Sequence, residues 1–132
     1  MECSCEKCVA MCKNRPCWGT PKDIKLLIEK GYAKQLMKDW WNDDCGGDDI
    51  YIIVPAIVGS EGKKCPFCPI GTCTFLKNNL CTIHKIKPTE GKESSCKSDK
   101  DIAAKRHIEI AKSWDCIEGR KLVSDWKELV GI

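Results

Sequence analysis

The first seventeen residues of this chain carry five cysteines: Cys3, Cys5, Cys8, Cys12 and Cys17. Thiols this dense, with almost no apolar residue between them, cannot be buried together as small hydrophobes. They need a common partner. A single cation can gather three or four thiolates from an irregular loop and fix its shape, so the stretch points to a metal. A disulfide framework is the alternative, and the redox compartment decides between the two. Met1-Glu2-Cys3-Ser4-Cys5-Glu6 has neither a basic nor an apolar leader. That predicts a cytoplasmic setting in which thiols stay reduced and bind metal.

A second cysteine region spans 65–96. Cys65-Pro66-Phe67-Cys68 is a CxxC knuckle, the spacing that lets two sulfurs meet one ion from a tight turn, and Cys73, Cys81, His84 and Cys96 follow it. This grouping is a zinc or iron signature. The candidate ligands are therefore Cys5, Cys8, Cys12 and Cys17 from the first region, and Cys65, Cys68, Cys73, Cys81, His84 and Cys96 from the second. Zinc is the first choice of metal, and iron or a [4Fe-4S] cluster is the alternative. Cys3 and Cys45 carry no assignment, and Cys116, just after Trp114, is expected to be a buried structural thiol. His107 falls on an apolar helical stripe and is expected to be a core histidine with one hydrogen-bond partner.

A length of 132 residues suits one domain. Its segments are the cysteine cluster of 1–20, a helical pair over 21–41, a strand and the second cluster over 50–96, and C-terminal helices over 99–130. Thr20-Pro21-Lys22-Asp23 has an N-cap threonine, proline at the first helical position and an acid at the third, so a helix starts there. Ile24, Leu27 and Ile28, then Ala33, Leu36, Met37, Trp40 and Trp41, repeat at helical spacing on either side of Gly31, which predicts helices over 21–30 and 32–41. Asp49 to Val54 is rich in β-branched residues and predicts one strand, ended by Pro55 and paired with 72–76 or 81–83, or else lying extended on the helices. Ala103, His107, Ile110, Ala111 and Trp114, and later Leu122, Val123, Trp126, Leu129 and Val130, mark two more helices. The fold class is thus mainly α: a small single domain whose helices flank a cysteine-rich, metal-organised loop region, with at most a short β-hairpin.

The formal charge of +3 is no nucleic-acid footprint. Eight thiolates on two divalent ions would bring it to about −1. Lysines also alternate with acids along the chain, without the basic patch and interleaved aromatics of single-strand binders, so no nucleic-acid partner is predicted. The longest apolar run, 50–59, is interrupted by Pro55 and too short to span a bilayer, so no membrane partner is predicted either.

Cys5-Glu6-Lys7-Cys8, Cys12 and Cys17, followed by Thr20-Pro21-Lys22-Asp23-Ile24, resemble the amino-terminal half of the zinc- or iron-chelating CxxCxxCC proteins, the YkgJ-like family. Cys73-Thr74-Phe75-Leu76, Asn79-Leu80-Cys81-Thr82-Ile83-His84 and Lys87-Pro88-Thr89-Glu90-Gly91-Lys92 are similar to its carboxy-terminal half. The resemblance implies that Cys8, Cys12, Cys17, Cys73 and Cys81 are ligands from two halves that close over a metal. The chain departs from the family pattern where Cys12 and Cys17 are separated, where His84 replaces a tyrosine, and where Gly91 stands at a cysteine position. Distant members, the flagellin lysine methylases, carry an iron-sulfur cluster.

Three functional classes follow. The first is a small cytosolic metal-binding protein with a structural, regulatory or partner-binding role, whose protein partner the sequence does not name. The second is an iron-sulfur redox or radical enzyme. The third is a viral or mobile-element factor that binds a host protein through exposed tryptophans such as Trp18, Trp40 or Trp41. No HExxH or HxE motif supports a hydrolytic zinc site, and Glu90 and His84 are the only acid-base candidates near the second region. The sequence is therefore that of a binding protein before that of an enzyme.

Overall fold

A computed structural model describes residues 13, 16–42, 49–66, 70–78, 80–83, 86, 88–90 and 100–132. The predicted ligands Cys5, Cys8, Cys12, Cys68, His84 and Cys96, together with Cys3 and Cys45, lie outside the described residues.

Helix α1, Pro21–Glu29, starts as the sequence predicts. Thr20 accepts from the Asp23 amide and Asp23 accepts from the Thr20 amide, a reciprocal capping box behind Pro21. The helix ends at Gly31, whose φ of 92° is a left-handed conformation that glycine takes without steric cost. Ile24 and Leu27 are fully buried on its inner face.

Beyond Gly31 the structure corrects the mainly α assignment. Only Ala33–Gln35 makes a 3₁₀ turn, and Leu36–Trp41 is strand β1 instead of helix. It pairs antiparallel with β2, Ile50–Pro55, in six residue pairs from Leu36↔Pro55 to Trp41↔Ile50. A second small sheet joins β3, Leu76–Lys77, to β4, Leu80–Cys81. With 44% helix and 20% strand among the described residues, the domain is a mixed one. The physical reason lies in β2. Its run of Ile and Val leaves backbone donors and acceptors that only a neighbouring strand can satisfy, and the Leu36–Trp41 segment, with its two tryptophans, supplies them. Tertiary pairing thus overrides a periodicity that fitted a helix equally well.

Strand β1 is bonded on its other side too. The Gly62 amide donates to Leu36, the Lys38 amide to Lys63 and the Cys65 amide to Lys38. Past Pro55, the chain meets the segment expected to pair with it: the Thr74 amide donates to Ala56 and the Val58 amide to Thr72. The expected partner therefore takes the extension of the strand, while β1 takes the strand itself.

Helices α2, Lys100–Lys112, and α3, Ile117–Val130, follow the predicted spans closely. Gly131, with φ of 80°, ends α3 by donating its amide to Lys127. Both helices and α1 pack on β2. Their inward residues Ile110, Ala111, Val123 and Trp126, with Trp114 from the turn between them, join Ile52, Ile53, Val54, Met37 and Phe75 in one core. Leu129, expected on the apolar stripe, faces solvent. Two buried indoles set the docking: Trp114 Nε1 donates to the Gly19 carbonyl and Trp126 Nε1 to the Ala33 carbonyl, each at 2.8 Å. Among the described residues no helix is long and apolar enough to cross a membrane.

Ile53 is wholly enclosed at the centre of this core. Ile53→Ala should lower unfolding stability by about 2–5 kcal/mol, read from the denaturant midpoint at constant slope. Val58→Ala, at an exposed position, should shift it by less than about 0.5 kcal/mol.

Candidate functional site

The segment that leads out of the first cysteine cluster and a segment of the second are bolted together. Trp18 donates its amide to Glu90 Oε1 at 3.0 Å, and Glu90 donates its own amide to the Trp18 carbonyl at the same distance. Next to this contact, Gly19 lets Pro88 approach so closely that a Cβ there would stand 2.5 Å from the proline Cβ. The capping carboxylate of α1 is shared: Asp23 Oδ2 also accepts from the Thr89 amide at 3.0 Å and from the Thr89 hydroxyl. A carboxylate at a helix N-terminus is already favoured by the axial dipole. Here it fixes a residue 66 positions away as well.

Helix α2 completes the junction. His107 Nδ1 lies 2.5 Å from Glu90 Oε2, and the imidazole stacks on the Trp18 indole with ring centroids 3.7 Å apart. A carboxylate can only accept, so Nδ1 carries the proton in this contact. The sequence placed His107 in the core with one partner. It is instead partly exposed, with Glu90 as the partner and Trp18 as the platform. Trp18 is buried by that stacking, which removes it as an exposed anchor for a host protein. Trp40 and Trp41 are half-buried against the core.

Four of the ten candidate ligands are described. Cys17 is half-buried directly before Trp18, and Cys81 is half-buried in β4. Cys73 is buried where its strand-like segment bridges Ile57. Cys65 is buried beside β1, and burial, followed by the neighbouring Asp39 carboxylate and the hydrogen bond to it, pushes its thiol up to about 12. Among the described residues, no three His, Cys, Asp or Glu side chains are gathered in a way that could hold a metal ion. These four thiols do not make a site by themselves, and a metal centre would have to draw on donors outside the described residues.

Cys116 differs from expectation. It is exposed, and its sulfur caps α3 by accepting from the Gly119 amide at 3.3 Å. Sequence reasoning missed this because a cysteine is not among the usual capping residues. Asp39, 7% exposed, was missed as well, since in a helix it would have faced solvent between two apolar stripes. In a strand it falls on the same side as Met37, and its Oδ1 accepts from the Trp40 amide at 2.7 Å.

No protein-family model, no curated protein and no solved structure matches this chain.

Two outcomes test the junction and the Cys65 environment. Thr20→Ala should cost about 1 kcal/mol, the ordinary loss of a cap. Asp23→Ala should cost more, because it also releases Thr89, and a double-mutant cycle with Thr89→Val should give a coupling of about 1 kcal/mol. A thiol held above its unfolded-state value contributes stability at neutral pH that is lost as pH rises from the ordinary thiol range toward about 12. Unfolding curves across that alkaline range should fall less steeply for Cys65→Ala than for the parent chain.

Proposed function

We propose that the chain is a small metal-binding protein in which cysteine thiolates from its two clusters share zinc, with a structural or partner-binding role. The observation that carries this reading is the Trp18–Glu90 and Asp23–Thr89 junction. It joins a segment that begins at Cys17 to one that lies between Cys81 and Cys96, the two halves that the resemblance to the CxxCxxCC family would close over an ion. Its geometry lowers the entropy cost of bringing distant thiolates to one ion, because the chain ends flanking the ligands are already held. Binding would release thiol protons and add folding free energy to loop segments with little core of their own. Cys65 is the candidate least suited to this role as it stands, since burial and the Asp39 carboxylate beside it favour the protonated thiol. Cys17 and Cys81 are the described candidates most accessible to an ion.

The test is elemental analysis together with a visible absorption spectrum on protein purified without oxygen. Zinc in a colourless sample supports the reading, whereas iron with acid-labile sulfide moves it to a cluster protein. Cys17→Ser and Cys81→Ser should each lower metal content, and Cys116→Ser should leave it unchanged. Thr89→Val, which touches no ligand, should weaken metal affinity by about 10-fold or more by loosening the junction. Equal metal content in all four variants would overturn the proposal.

A further inference from the structure

The hydrogen bonds of β1 show which backbone groups of β2 face outward. The Lys38 amide donates to Lys63 and the Lys38 carbonyl accepts from Cys65, so both groups point away from β2. In the register Lys38 stands opposite Ile53, and Trp40, two positions on, stands opposite Tyr51. Hydrogen-bonded and non-hydrogen-bonded pairs alternate along an antiparallel ladder, so both of these are non-hydrogen-bonded pairs. The amides and carbonyls of Ile53 and Tyr51 therefore point away from β1. Ile53 is wholly enclosed, whereas Tyr51 is 48% exposed. Among the described residues, no hydrogen bond reaches the Tyr51 amide or carbonyl on that side.

A cleft of about 600 Å³ opens between this part of β2 and α3. Asp49, Ile50 and Tyr51 all line it, although successive strand residues direct their side chains to opposite faces, and no residue of β1 lines it. A cavity that touches three consecutive residues of one strand and none of its neighbour lies along the free edge. Ile50, Trp114 and Val123 give the cleft apolar surface. Arg120 and Asp115 also line it and pair with each other at 3.1 Å, which leaves the carboxylates of Asp49 and Glu128 against the single cation Lys127. The lining thus combines an open backbone donor and acceptor, an apolar wall and a surplus of negative charge.

We propose that the cleft takes an extended, basic peptide segment of a partner protein, which adds to β2 as a strand opposite Tyr51. One peptide residue exchanges both backbone hydrogen bonds with Tyr51. Its neighbours set an apolar side chain against Val123 and Trp114 and a lysine or arginine toward Asp49 and Glu128. An edge with unpaired backbone groups is a template for such pairing, in which main-chain bonds supply affinity and alternate side chains supply selectivity. A single extended segment is slim enough to enter between the strand and α3. In a symmetric contact, a second copy of this chain would have to bring its own α3 into the same space. The inference goes beyond the metal-binding reading and does not depend on it.

The test is a nuclear magnetic resonance titration of the full chain with acetyl-Lys-Val-Lys-Val-Lys-amide, beside its Glu-Val-Glu-Val-Glu counterpart. The basic peptide should bind at least about 10-fold more tightly than the acidic one, and hydrogen exchange at the Tyr51 amide should slow by about 10-fold when it binds. Two further analogues, N-methylated at the valines or at the lysines, probe the backbone. Successive amides of a strand face opposite sides, so one analogue should lose at least about 10-fold in affinity and the other should keep it. Glu128→Lys should weaken the basic peptide by about 5-fold, and Glu29→Lys, on the exposed face of α1, should not. Four results would each overturn the proposal: an unperturbed Tyr51 amide at millimolar peptide, equal binding of the two methylated analogues, tighter binding of the acidic peptide, or a dimer of the chain that protects Tyr51 without any peptide.

Discussion

The pairing of Leu36–Trp41 with Ile50–Pro55 is the constraint on which the rest of this structure depends. A two-stranded ribbon is marginal in water, and this one persists because elements from both ends of the chain cover it. All three helices reach β2, and the segment at 62–65 satisfies the outer edge of β1. Ile52, Ile53 and Val54 are buried as a result, and the helices gain an apolar surface that none could provide for another. Of the described cysteines, Cys65 and Cys73 are buried within this frame, which the strand pairing and the helices hold together.

That order of dependence changes how the thiols are understood. A loop held only by a metal would leave the helices without a fixed relation when the ion is absent. Here Trp114 and Trp126 dock the C-terminal helices through indole N–H bonds, and Glu90 and Asp23 tie the second cysteine region to α1. The proposed ion would thus act on a frame that already brings its ligands' neighbours together. Buried hydrogen bonds of this kind specify geometry as much as they add stability, because leaving either partner unpaired costs more than the bond contributes.

Much of the architecture was legible in the residues. Thr20-Pro21-Lys22-Asp23 announces its helix through capping chemistry, and the strand at 50–55 and the two last helices follow from β-branching and from apolar spacing. What failed was Leu36–Trp41, where apolar positions fit a helix at three- and four-residue spacing while the true arrangement buries Leu36, Met37 and Asp39 in a strand. No local rule separates the two, because the deciding factor is the unsatisfied backbone of a strand nine residues further on. The site was legible only in its parts. Glu90 and His107 are both polar residues of ordinary appearance, and nothing in their spacing signals that they meet beneath Trp18.

The bonds that lock the frame are also the ones most separated along the chain: 72 positions between Trp18 and Glu90, 93 between Ala33 and Trp126, and 95 between Gly19 and Trp114. Each requires a loop to close before its contacts reward the loss of chain freedom, which slows folding. During synthesis the aliphatic ribbon is made early and its cover is made last. Until residues 114–126 have left the ribosome, Ile52 and Ile53 lack much of their shelter, and the nascent polypeptide passes through a period in which it is prone to associate with itself or to engage chaperones.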